Sequence, residues 1–120
     1  MDMFEFVIGD GRLLEEEAEE IYFIRKSIMN GRLGHVGTQL LLLANDLVHS
    51  LASAGLLAEQ VFSLNMPMDL ANEIQSAVIG VRSAQQRFRT GDIRARELRA
   101  AISDARIHLR GIRKKVAAHR

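Results

Sequence analysis

Two stretches of the chain place apolar residues at alternating intervals of four and three. Leu70, Ile74, Ala77, Val81, Ala84 and Phe88 form one series, and Leu98, Ile102, Ala105, Leu109, Ile112 and Val116 form the other. An α-helix completes a turn every ~3.6 residues, so this spacing lines each series along one side of a helix, whereas a strand would scatter it over both faces. Thr90-Gly91-Asp92 lies between them and combines a helix stop with a capping residue. The pattern predicts an antiparallel helical hairpin packed at a shallow angle, as in four-helix bundles.

The same reading divides the rest of the chain. Asn30-Gly31-Arg32-Leu33-Gly34 and Asn65-Met66-Pro67 are further breaker clusters. Residues 13–29 repeat Leu14, Ala18, Ile21 and Ile28 at helical spacing, with Ile24 beside them. Glutamates 15, 16, 17, 19 and 20 occupy the opening turns, where a helix dipole favours anions. Residues 36–54 repeat Val36, Leu40, Leu43, Leu47 and Leu51, and Leu41, Leu42 and Val48 widen the apolar arc, which marks this as the most buried helix. Gly55 is expected to end it, leaving residues 56–64 as a short extra helix before Pro67. Phe4, Phe6, Val7 and Ile8 alternate imperfectly in a strand-like arm over residues 1–11, and a single strand has no partner in an otherwise helical chain. The expected architecture is all-α: one domain over residues 1–120, with the arm at 1–11 and an antiparallel four-helix bundle over 12–120.

Charge is distributed unevenly. Residues 1–60 hold 10 acids and 4 bases (net −6), residues 61–120 hold 5 acids and 12 bases (net +7), and the total is +1. All 12 bases of the second half fall in residues 82–120. Arg99, Arg106, Arg113 and Arg120 recur every seven residues, in one file beside the final apolar stripe. The file would serve either to meet the glutamates of residues 15–20 or to meet something outside the chain. Exposed pairs of this kind contribute about 0–1 kcal/mol each, so they choose neighbours more than they hold a fold.

Several chemistries are disfavoured by residue type. The absence of cysteine removes disulfides, thiol catalysis and cysteine zinc sites, and fits a reducing compartment. No cationic leader is visible in residues 1–11, and the longest strongly apolar run, residues 40–44, is too short to span a bilayer, so a cytoplasmic location without a membrane partner is expected. Asp46, His49 and Ser53 share one helical side, but a serine nucleophile needs an oxyanion hole, and a regular helix has already bonded its amides; they read as a solvated face. His35, His49, His108 and His119 include no pair at ligand spacing, and no phosphate-binding glycine loop is present. Neither metal nor cofactor is expected.

Two resemblances bear on function. Arg113 and His119, with five residues between them, resemble the Arg-x(4–6)-His motif of HEPN helical domains, many of them dimeric ribonucleases. That likeness implies RNA-backbone cleavage by these two residues across a dimer interface; Lys114 stands where the family usually has another polar residue. The layout of helix, Asn30-Gly31 turn, Leu-rich helix, helix, Thr90-Gly91-Asp92-Ile93 turn and helix is similar to the small flagellin export chaperones, which clasp a partner's helix without catalysis. Their Leu-Tyr-Asp signature is missing here.

The expectation is a non-enzymatic module that binds another protein stoichiometrically, as a regulatory adaptor, antiactivator or export-chaperone-like protein, and forms a homodimer. Candidate contact residues are Phe4, Phe6, Ile8, Met66, Met68, Arg99, Arg106 and Arg113. The alternative is nucleic-acid binding through residues 82–120, or a HEPN-like ribonuclease. Phe88 is the single aromatic of that basic region and lies on the apolar seam, which disfavours single-strand stacking.

Overall fold

The computed structural model describes Tyr22 and residues 34–119. Within them three helices follow one another: α1 (His35–Phe62), α2 (Met68–Arg89) and α3 (Ala95–His119), with a 3-10 turn at Ser63–Asn65. The described fold is all-α. The expected first helix over residues 13–29, the fourth of the expected bundle, and the arm over 1–11 lie outside the described residues.

Neighbours in sequence run antiparallel. Asn45 on α1 meets Arg82 and Gln85 on α2, and Glu73 on α2 meets His108 and Lys115 on α3. α1 and α3 therefore run the same way, and the Phe62 and His119 rings near their C-terminal ends stack with centroids 4.0 Å apart.

The paired seams behave as their spacing predicts. All six apolar positions of the α3 series are buried, as are five of the six on α2, with Phe88 half-buried against the same core. α1 is the most buried helix, with twelve of its 28 residues inside. Its buried side nonetheless differs from the expected stripe. Leu40, Leu41, Ala44, Leu47, Val48 and Leu51 face inward, while Val36 and Leu43 are 50% and 41% exposed. The reason is angular: α1 must address two neighbours, so its buried arc is centred between them, and Leu43 falls at the rim on the α3 side.

The boundary expected at Gly55 is also corrected. α1 runs through a buried Gly55 to Phe62, and only the 3-10 turn at Ser63–Asn65 precedes Pro67. An interior glycine costs a helix ~1 kcal/mol relative to alanine. Ala54, Ala58 and Phe62 continue the buried side past it, and burying one phenylalanine side chain returns about 1.5–3 kcal/mol. The helix therefore outlasts its breaker. Where α1 does stop, Ser63 adopts φ 55°, ψ −126°, and its N–H donates to the Glu59 carbonyl.

The α2–α3 turn follows from local chemistry. The Asp92 N–H donates to the Arg87 carbonyl at 2.8 Å and the Gly91 N–H to the Phe88 carbonyl at 3.2 Å, with Gly91 at φ +84°. These are the two bonds of a Schellman cap, which needs a residue in the left-handed region and so favours glycine. At the start of α3 the Glu97 carboxylate accepts from the Arg94 N–H at 3.0 Å, half of a capping box.

By length and composition, residues His35–Asn65 are apolar enough to cross a membrane, with a mean hydropathy of 1.5. Yet 56% of that window is buried in the molecule. Core contacts on two sides account for that buried share, while Val36, Leu42, Leu43 and Leu56 of α1 stand exposed.

Candidate functional site

α1 and α3 run side by side and leave a groove along their outer junction. The spacing of α1 builds one wall: Leu43, Leu47, Ser50, Ala54 and Leu57 recur at four, three, four and three, a second stripe rotated from the α1 core. α3 supplies the opposite wall with Arg106, Leu109, Arg110, Arg113, Val116 and Ala117. Two cavities meet along this line, sharing Ser50 and Arg113, with volumes of about 260 and 370 Å³. Leu47, Ala54, Leu109 and Val116 form a buried floor, Leu43 and Leu57 stand partly open above it, and the three arginines are exposed at the rim.

The arginine file thus acquires a position. Among the described residues, Arg99, Arg106 and Arg113 make no salt bridge, and Arg106 and Arg113 border the groove. Arg99 is exposed one file position earlier. The glutamates expected to meet them, residues 15–20, lie outside the described residues. Asp46 and Ser53, read as a solvated face, are exposed and line the α1 side of the same groove.

Of the other predicted contact residues, Met68 is 73% exposed at the start of α2, whereas Met66 is half-buried against the core. Leu64, fully exposed between α1 and α2, was not singled out by sequence reasoning. Phe4, Phe6 and Ile8 lie outside the described residues. The two residues of the HEPN-like motif both lie on α3. Six residues along a continuous helix rotate the side chain by ~600°, leaving Arg113 and His119 about 120° apart. Arg113 borders the groove, while the His119 ring stacks on Phe62.

Sequence reasoning missed two polar constellations. In the first, Asn45 and Gln85 are buried between α1 and α2 at 5% and 1% exposure. Arg82 Nη1 donates to Asn45 Oδ1 at 2.7 Å and to Gln85 Oε1 at 2.9 Å, and Gln85 Nε2 donates to Asn45 Oδ1 at 3.3 Å and to the Leu41 carbonyl at 3.4 Å. The signal was present: Asn45 sits four residues after Leu41 and three before Val48, a seam position occupied by an amide.

The second lies between α2 and α3, around a cavity of about 190 Å³. Lys115 Nζ donates to Glu73 Oε1 at 3.0 Å, His108 Nδ1 lies 3.4 Å from Glu73 Oε2, and Asp104 is 4.0 Å from the other His108 nitrogen. Partial burial pushes the Glu73 carboxyl up, but hydrogen bonds from Lys115 and His108 outweigh it and hold Glu73 below the ordinary glutamate value. The same hydrogen bond raises Lys115. A carboxylate kept ionised, with both oxygens engaged, is suited to clamping two helices and not to proton transfer near neutral pH. Among the described residues, no group of three or more His, Cys, Asp or Glu side chains converges as metal ligands.

Comparison with protein-family models, curated proteins and solved structures finds no match.

Proposed function

We propose that this chain is a non-enzymatic protein-interaction module that acts by stoichiometric binding, of the regulatory adaptor, antiactivator or export-chaperone kind. The observation that carries this reading is the α1–α3 groove, which among the described residues sets an apolar floor at coiled-coil spacing beside a charged rim. Such a surface is the receptor half of helix-in-groove recognition. The reading agrees with the layout resemblance to helix-clasping export chaperones.

A photo-crosslinking amino acid placed at Ser53 in the groove, and separately at exposed Ser83 on α2, tests it in the native host. A discrete protein adduct of fixed stoichiometry at position 53 and none at 83 is expected. Adducts to nucleic acid alone, or equal labelling at both positions, would refute it.

The homodimer is part of the proposal. Both heptad seams are buried within one chain, so a second copy must use an exposed surface. Light scattering at micromolar concentration tests this, and a monomer throughout removes it.

One observation favours a second reading. Arg96, Arg99, Arg106, Arg110, Arg113 and Lys114 are all exposed on one side of α3, and a cationic ridge of this length matches a phosphate backbone. Under that reading duplex affinity would fall steeply with salt, with a slope reduced by about one per arginine replaced.

A further inference from the structure

We propose that the occupant of the α1–α3 groove is an amphipathic helix of a partner protein, bearing acidic side chains along the flank that faces Arg106, Arg110 and Arg113. This rests on the protein-binding reading and adds the conformation and charge of what is bound.

The conformation follows from the walls. Leu43 and Leu57 lie fourteen residues apart, or ~21 Å at 1.5 Å per residue, which is about four turns of a docked helix. The four-three spacing on α1 is the register into which another helix inserts its own side chains, and Ser50 and Ala54 are small enough to allow a close approach at mid-groove. An extended peptide would bring unpaired backbone amides onto an apolar floor, and the described residues offer no sheet edge to receive them. A helix arrives with those groups already bonded to each other.

The charge follows from the rim. Three arginines stand on the α3 side against one acid, Asp46, on the α1 side, giving 3 − 1 = +2 along the groove. A helix with Glu or Asp at positions i, i+4 and i+7 on one flank meets those arginines in order, and arginine's planar donor fork suits carboxylates. The described helices of a second copy do not supply this helix: α1 and α2 expose one acid each, Asp46 and Asp69, and Glu97 and Asp104 share α3 with its many bases. The exposed side of α2 carries Asn72, Ser76, Ile79 and Ser83, and that of α3 is basic. Nucleic acid fits less well, because no aromatic lines the groove to stack a base and phosphates would leave the apolar floor uncovered.

The test uses the full chain and three fluorescein-labelled 21-residue peptides, read by anisotropy. One has Leu and Ala at the seam positions and Glu on the flanks, its twin has Lys on the flanks, and a scramble keeps the acidic composition without the seam. We expect the acidic helix to bind, with the lysine twin and the scramble each at least about tenfold weaker. The exposed triple variant Arg106→Gln/Arg110→Gln/Arg113→Gln, its fold checked by circular dichroism, should weaken the acidic helix about tenfold, and raising salt should do the same. Leu57→Lys should weaken it by placing a charge on the apolar α1 wall. Equal affinity of the two twins, equal affinity of the scramble, or no effect of the triple variant overturns the proposal. So does displacement of the acidic helix by a 20-base-pair RNA duplex that itself depends on the three arginines. A crosslink from Ser53 to a natural partner, with the acidic helix failing to bind, would sink this inference and leave the interaction module standing; loss of both would remove both.

Discussion

The buried amide pair between α1 and α2 makes a quantitative demand on stability. Asn45→Leu removes an acceptor that Arg82 reaches at 2.7 Å and Gln85 at 3.3 Å. Losing a hydrogen bond from a charged donor costs about 1.5–3 kcal/mol, while the longer amide contact adds less. Gln85→Leu removes the 2.9 Å bond from Arg82 and two long donations at 3.3 and 3.4 Å, for which about 1.5–3 kcal/mol is likewise expected. If the two losses were independent, the double variant would forfeit about 3–6 kcal/mol. The geometry argues otherwise, because most of each cost comes from the partner left behind in a dry interface. With both amides replaced by leucine, no buried amide remains to be satisfied, and of the original network only the half-buried Arg82 guanidinium is left to be solvated or paired. The double variant is expected to lose about 1–2 kcal/mol, leaving a coupling of at least about 1 kcal/mol. Urea unfolding followed by circular dichroism at 222 nm on all four proteins measures it. Additivity within about 0.5 kcal/mol would show that the four contacts do not act as one network.

The α2–α3 turn gives a simpler test. Gly91 holds φ +84°, so Gly91→Ala should cost about 1 kcal/mol in urea unfolding even though nothing stands within 4 Å of the added methyl. Ser63 has φ 55°, and Ser63→Gly should raise stability by up to about 1 kcal/mol by relieving that conformation; a loss would mean the serine side chain matters more than its backbone. Glu73 is held below its ordinary 4.5 in the folded chain, so its contribution is complete above about that pH and is lost as pH falls through the lower folded value. Glu73→Gln should therefore lower stability near neutral pH and flatten the acid limb of the stability curve, and an unchanged limb would place the acid sensitivity elsewhere.

How much of this was legible in the sequence depends on what kind of contact each residue makes. The α2 and α3 seams were readable residue by residue because each helix turns one narrow stripe toward the core, and Gly91 marked their junction. α1 was harder. A helix with two neighbours has a broad apolar arc, and periodicity cannot show which edge of the arc faces a neighbour and which faces water. That is why Leu43 was read as core although it stands 41% exposed. Gly55 misled for a related reason: a local breaking tendency of ~1 kcal/mol is visible in sequence, while the burial of Phe62 that outweighs it is a tertiary fact. Asn45 and Gln85 were invisible as a pair because they lie 40 residues apart.

The groove combines these cases. Its α1 wall was present in the sequence as Leu43 and Leu47, but both were assigned to a single inward stripe. Its basic rim was present as the seven-residue recurrence of Arg106 and Arg113, without a surface to belong to. Placing α1 parallel to α3 turns one edge of the broad apolar arc toward that recurrence. The apolar residues that α1 does not spend on its own core then lie beside the cations that α3 leaves outside its seam. A partner helix able to cover both must itself pair an apolar stripe with an acidic flank, and this fixes the chemistry that the peptide comparison is built to detect.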